Sequence, residues 1–250
     1  MTQGAIWPEG YGRRILDQVD STLDEAARIA PALTGPEWIM AHRQLAGRAR
    51  RGRGWVDPVG NLSATLVLFP KEPLTVASLR SFVAALALLD TCVAVSGRSD
   101  GFALKWPNDV LLNGGKLAGI LLESSGQGAR LGHLSIGIGV NLLTTPEAVE
   151  PGGLCPVSLF SETGAQIDPE TFLDYLAAAY ARREATFISQ GFEPIRTAWL
   201  ASAARIGEVI TARTGTTQTQ GRFETVDSAG NLVLQCAQGR VAIPAAEVFF

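Results

Sequence analysis

The chain has 250 residues, 46% of them hydrophobic, and a formal net charge of −3. That length and apolar content suit one large domain, or a medium domain with a small appendage, and the slight acidity argues against a general nucleic-acid binder. Cys92, Cys155 and Cys236 are odd in number and show no CxxC spacing, which predicts neither a disulfide framework nor a zinc site and suits a reducing cytoplasm.

The first residues lack a basic segment followed by an apolar run, so no signal peptide is expected. Asp20, Ser21 and Thr22 precede Asp24, Glu25 and an alanine-rich turn, which predicts an N-capped helix over residues 22–30, ended by residues 31–36. A short strand through Trp38, Ile39 and Met40 leads into residues 44–54, QLAGRARRGRG, which have neither helical nor strand period. Arg48, Arg50, Arg51 and Arg53 stand there among Gly47, Gly52 and Gly54, and Trp55 follows. Glycine permits close backbone approach, guanidinium groups bind carboxylate or phosphate oxygens in bidentate fashion, and an indole offers a flat face to a base. A solvated basic turn or an arginine-rich nucleic-acid segment would show the same composition, so both readings stay open at this point.

DPVGN at 57–61 has turn chemistry, and LSATLVLF at 62–69 reads as a central strand, apolar on both faces. Apolar residues at three- and four-residue steps predict the main helix over residues 76–95, and Arg80 and Asp90 within it argue against a membrane span. Strands follow at 102–106, 116–124 and 134–143, joined by NGG at 113–115 and GQGAR at 126–130, so a hairpin-rich α+β mixed sheet is expected. Residues 144–165 read as a surface connector. Asp168 then caps a helix with Pro169 at its first position, and a short helix follows at 193–203. After Arg205 short strands alternate with Gly-containing turns, predicting an SH3-like barrel and a division into residues 1–204 and 205–250.

A second informative stretch, KWPNDVLLNGGKLAGILLE at 105–123, gathers Lys105, Asn108, Asp109 and Lys116 at a strand end and turn. Such groups suit a reaction in which negative charge builds on phosphate and an amine loses its proton. An exposed hairpin tip would be equally polar. No GxxxxGK[ST] is present, and GIGVN at 137–141 is not followed by a helical pattern, so P-loop and dinucleotide fingerprints are absent.

Taken together, GRARRGRGW at 47–55, GN at 60–61, KWPNDVLLNGGKLAGILLE at 105–123 and GIGVN at 137–141 resemble, in order and spacing, the signature blocks of biotin protein ligases. The resemblance extends into the C-terminal strands and is to the monofunctional type, without a DNA-binding domain. It implies a class II synthetase-like biotin/lipoate ligase fold and a two-step reaction using ATP and Mg²⁺. Biotin is first activated as biotinyl-5′-adenylate, then transferred to a lysine of a biotin carboxyl carrier protein. The resemblance makes Lys116, Arg50 and Asp109 the catalytic candidates. It assigns Ser21, Thr22, Gln44, Arg48, Lys116 and Gly119 to biotin, and Arg48, Arg50, Arg51, Arg53, Trp55, Asn108, Lys116 and Asn141 to ATP and the adenylate. It further implies a cytoplasmic enzyme with no nucleic-acid or membrane partner, in a family that often forms homodimers. A lipoate or octanoate ligase of the same fold is the alternative. Two departures stand out: Leu23 follows the Ser-Thr pair where many members have Asn, and Ala49 stands where glycine is frequent. His42 and His133 are expected to be structural, as are Trp7, Trp38 and Trp199.

Overall fold

The computed structural model describes residues 5–56, 58–127, 130–146 and 154–250, without the side chains of residues 51, 127 and 130. Position 57 of the expected 57–61 turn, positions 128 and 129 of the 126–130 connection, and residues 147–153 of the expected connector lie outside the described residues.

Helix α1, Thr22–Ile29, forms where its capping chemistry predicts: the Ser21 side chain accepts from the Leu23 N–H at 3.2 Å, and Asp24 and Glu25 sit in the first turn. It crosses between β1 (Gly12–Leu16) and β2 (Glu37–Ala41), which run parallel. β3 (Leu62–Leu68), β4 (Phe102–Lys105), β5 (Asp109–Leu112), β6 (Gly115–Gln127) and β7 (Arg130–Val140) complete a seven-stranded sheet, order β1-β2-β3-β7-β6-β5-β4, with all pairs after the first antiparallel. The mixed α+β sheet is as expected. β1 and β5 are additional strands; β5 turns the KWPND segment into the bend of a β4–β5 hairpin, with a cis peptide between Trp106 and Pro107.

Side chains alternate across this sheet with the strand period of two. Trp38, Met40, Leu62, Leu66, Ala118, Ile120, Ile136 and Ile138 enter the main core. The alternate residues turn to the face that carries α1: Ile39 and Val67 pack with Ala26 there, and Thr65 meets Thr22. On the core face, α2 (Leu74–Ala77) precedes α3 (Arg80–Ser96), which Gly97 ends in a left-handed conformation at φ 68°. After α4 (Leu159–Thr163), α5 (Pro169–Gln190) and α6 (Phe192–Ala201) pack against α3. The Asp168 cap is made, its side chain accepting from the Thr171 N–H at 2.9 Å. The segment Leu74–Ser96 is long and apolar enough to cross a membrane, but 67% of its apolar window is buried. Buried Arg80 pairs there with buried Glu184 at 2.7 Å, which makes it a core helix.

The C-terminal part corrects one expectation. β8 (Val209–Thr214), β9 (Thr217–Val226), β10 (Leu232–Cys236), β11 (Gly239–Ile243) and β12 (Glu247–Phe249) form an antiparallel five-stranded sheet, order β11-β10-β9-β8-β12. Its end strands, β11 and β12, do not pair, so the sheet is open and there is no SH3-like barrel. The reason is visible in β12, which is three residues long, pairs with β8 and turns its other side toward the arginine loop. One face of this sheet, with Ile210, Phe223, Leu232 and Val248, joins the same buried cluster as α3.

Candidate active site

Strand register builds the site. Lys105 on β4 stands opposite Asp109 on β5, Asp109 opposite Gly119 on β6, Gly119 opposite Gly139 on β7, and Gly139 opposite Ser63 on β3. These five residues form one row across the α1 side of the sheet and line a cavity of about 270 Å³. The row passes from a hydroxyl, over two residues without side chains, to an acid and a base.

At the hydroxyl end, Gln44 is fixed between α1 and β3. Its Oε1 accepts from the Thr22 N–H at 2.8 Å, and its Nε2 donates to Ser63 Oγ at 3.0 Å. Ser21, Thr22 and Ser63 are all buried. Leu23, the departure from the family pattern, is buried over Gly137, where an added Cβ would lie 2.9 Å from Leu23 Cδ1. Gly139 does the same for Trp55: an added Cβ would lie 2.5 Å from Cζ2 and 2.7 Å from Nε1 of the indole. The two glycines of GIGVN are therefore the seats of a leucine and a tryptophan on the cavity side of β7.

The arginine loop folds back on itself. Ala49 N–H donates to Arg53 O and Trp55 N–H to Gly47 O, each at 2.8 Å, around a 3₁₀ turn over Arg50–Gly52 in which Gly52 has φ 71°. Arg48 bridges two carboxylates, Asp24 at 2.5 Å and Glu123 at 3.1 Å, and hydrogen bonding to Asp24 leads the effects that raise its pKa further. Arg50 donates to Asn108 Oδ1 at 3.2 Å and to Ala246 O at 3.4 Å. Arg53 pairs with Glu247. Protein carboxylates thus hold Arg48 and Arg53, so an anionic ligand would exchange with them rather than meet bare cations.

At the charged end, Lys116 Nζ lies 2.9 Å from Asp109 Oδ1. The angle falls short of a hydrogen bond, leaving that buried oxygen with hydrogen-bonding capacity to spare, as is also true of Asn141 Oδ1 and Trp55 Nε1. Burial pushes the Lys105 pKa down, against the pull of Asp109, and its ammonium lies 5.1 Å from the Phe250 ring. Asp109 and Glu247 also line the cavity, but each is already paired with a cation. Among the described residues no group of three or more metal-binding side chains occurs.

Of the residues singled out in the sequence, Ser21, Thr22, Gln44, Arg48, Arg50, Arg53, Trp55, Asn108, Asp109, Lys116, Gly119 and Asn141 all line this cavity. The Arg51 side chain lies outside the described residues. His42 pairs with Glu170 at 3.4 Å, and His133 stands opposite Ser125 on β7; neither lines the cavity. Trp38 and Trp199 are core residues. The sequence reading missed Ser63, hidden in an apolar strand, and Glu247, Val248 and Phe249, which reach the cavity only because the C-terminal sheet docks beside it.

Two sequence profiles match: the Biotin/lipoate A/B protein ligase family over residues 12–141 and the Biotin protein ligase C terminal domain over residues 206–250. The Biotin--[acetyl-CoA-carboxylase] ligase of Paracoccus denitrificans is 55% identical over 238 residues, covering 94% of this chain and 99% of that protein. The Bifunctional ligase/repressor BirA of Bacillus spizizenii is 31% identical over 237 residues, covering 93% of this chain and 72% of that protein. The fold is shared with the structure of biotin protein ligase from Aquifex aeolicus in complex with biotin and ATP, at a TM-score of 0.81, 24% identity and coverage of 95% of this chain and 97% of that one. With a profile over more than half its length and a relative matched almost end to end, this chain belongs to the biotin/lipoate A/B protein ligase family, as one of its biotin protein ligases.

Proposed function

We infer that the chain ligates biotin to a lysine of a biotin carboxyl carrier protein, using ATP and passing through biotinyl-5′-adenylate. The observation that carries this reading is the graded row from Ser63 through Gly139 and Gly119 to Asp109 and Lys105. It offers hydrogen bonds at one end, a floor without side chains in the middle, on which the Trp55 indole lies and from which it would lift for an apolar body to enter, and charge at the other end. Biotin has a ureido head, an apolar body and a carboxylate in that order.

In this reading Ser21, Thr22 and Gln44 hold the head, the backbone at Gly119 lines the body, and Arg48 and Lys116 meet the carboxylate. A biotin carboxylate oxygen attacks the α-phosphorus of ATP; the new O–P bond forms as the bond to pyrophosphate breaks. Lys116 and Arg50 stabilise the charge that builds on the phosphoryl oxygens. Arg48, Arg51, Arg53, Trp55, Asn108 and Asn141 complete the nucleotide side. In the second step the carrier amine attacks the acyl carbon, the C–O bond to AMP breaks, and Asp109 steers and accepts the amine proton. The ion pair with Lys116 holds the Asp109 carboxyl group at the cavity wall for that task. Magnesium enters as part of the MgATP substrate, bound by its phosphates.

The same reading places the enzyme in the cytoplasm, divides it near residue 204, and includes pairing of two copies along an edge of the large sheet, tested by sedimentation. The profile boundary at residue 206 supports the division. ATP–pyrophosphate exchange that depends on biotin, run beside lipoate and octanoate, tests the function. Exchange driven by lipoate and not by biotin would overturn it.

A further inference from the structure

Thr65 stands two residues from Ser63 on the same face of β3, is 0% exposed, and does not line the cavity. Its hydroxyl oxygen lies 2.8 Å from Thr22 Oγ1. Together with Gln44 and Ser63 it forms a chain of hydrogen bonds whose direction one group decides. The backbone N–H of Thr22 can only donate, and it donates to Gln44 Oε1 at 2.8 Å. That fixes the amide with its oxygen toward α1 and its nitrogen toward Ser63, 3.0 Å away. The Thr22 hydroxyl, 3.2 Å from the same oxygen, must donate to it, because a carbonyl oxygen accepts only. Its proton being used, Thr22 Oγ1 takes the Thr65 contact as acceptor. At the far end Ser63 Oγ accepts from the amide, so its own proton, and the second hydrogen of Gln44 Nε2, remain to be donated.

We propose that Thr65 is a positioning residue for the ligand head: its hydroxyl holds the Thr22 side chain where it gives the Gln44 oxygen a second donor beside the backbone N–H, steadying the amide whose Nε2, with Ser63, presents donors to a carbonyl oxygen. A head group without such an oxygen leaves those donors buried and unpaired, so the chain also selects for a ureido-type head over an apolar one. This rests on the reading of the hydroxyl end as the biotin head site. The longest bond in the chain is the 3.2 Å one from Thr22 to Gln44, and it depends on the side-chain orientation of Thr22 that the Thr65 contact holds.

The test is T65V, which keeps the side-chain shape, beside T65S, which keeps the hydroxyl. Adenylate formation is measured with biotin and ATP varied separately, and biotin binding is measured by calorimetry. T65V is expected to raise the biotin KM and Kd about five- to tenfold, with the ATP KM and kcat within about twofold, the loss typical of one buried hydrogen bond. T65S is expected to restore both. Unchanged biotin binding in T65V, parallel rises in the biotin and ATP KM, or failure of T65S to improve on T65V would overturn the proposal. Wild-type protein that forms no adenylate from biotin would instead sink the functional reading beneath it.

Discussion

Gly139→Ala isolates the contact between β7 and Trp55. Gly139 carries no positive φ, so alanine brings no backbone strain and the effect is steric. The new methyl would lie 2.5 Å from Cζ2 and 2.7 Å from Nε1 of Trp55. Ordinary carbon contacts begin near 3.5 Å, so the indole must retreat by about 1 Å. The far edge of the ring is already at contact distance from the Gly119 position, 3.5 Å from where a Cβ would lie. A displacement of about 1 Å in a wall that positions reactants costs about 10²-fold in rate. We therefore expect kcat/KM for biotin-dependent pyrophosphate release to fall by about that factor, with the melting curve showing a folded protein. In a Trp55→Ala background the methyl has room, and the additional cost of G139A should shrink to about threefold or less, which a double-mutant cycle reads as strong coupling. Wild-type kcat/KM in G139A, or an equal penalty with and without Trp55, would refute the steric argument.

Lys116→Ala should slow adenylate formation by about 10²–10³-fold, because under the proposed function it removes the cation that stabilises the reacting phosphate; pyrophosphate release in single turnover checks it. Asp109→Asn should slow transfer from preformed biotinyl-adenylate to the carrier by at least about tenfold, measured as carrier labelling after rapid mixing. Glu184→Ala leaves the buried Arg80 guanidinium with Glu72 and the Phe187 face but without its closest buried partner, and should lower stability by about 3 kcal/mol in urea. Burial pushes the Cys92 thiol up to about 12 from 9.0, and burial, with Glu184, pushes the Tyr11 phenol up to about 12 from 10.0. Above pH 9 the unfolded chain loses protons that the folded chain keeps, so stability should fall as pH rises from 9 toward 12, by at most about 1.4 kcal/mol per pH unit for each group. Cys92→Ala should flatten that slope, and an unaltered slope would exclude the thiol as its source.

Much of the candidate site is legible in the sequence because its residues sit in short local blocks. The arginine loop and the block from Lys105 to Lys116 announce themselves by residue type alone, and both line one cavity. The carboxylates that hold the loop were not legible. Asp24 read as part of a helix cap and Glu123 as a strand residue, and they meet Arg48 only through tertiary folding. β1 is not legible because GRRIL alternates weakly on an edge strand, and β5 because its four residues follow directly on turn chemistry. Ser63 and Thr65 were absorbed into an apolar run, where small hydroxyl residues do not break the strand signal. The C-terminal strands were legible as hairpins. Closure depends on whether the first and last edges meet, which hairpin spacing does not encode, and here Arg50 donates to the carbonyl just before β12 and Arg53 pairs with the Glu247 side chain at its start.

The row from Lys105 to Ser63 draws on five strands, and in a strand a slip of one residue turns every side chain to the opposite face. One residue inserted in β6 ahead of Gly119 would carry that glycine into the core and bring an apolar neighbour up into the cavity. Catalysis is thus a parity check on the sheet. An insertion series through β6 should lose activity at odd lengths and regain part of it at even ones, while the folded content seen by circular dichroism changes smoothly.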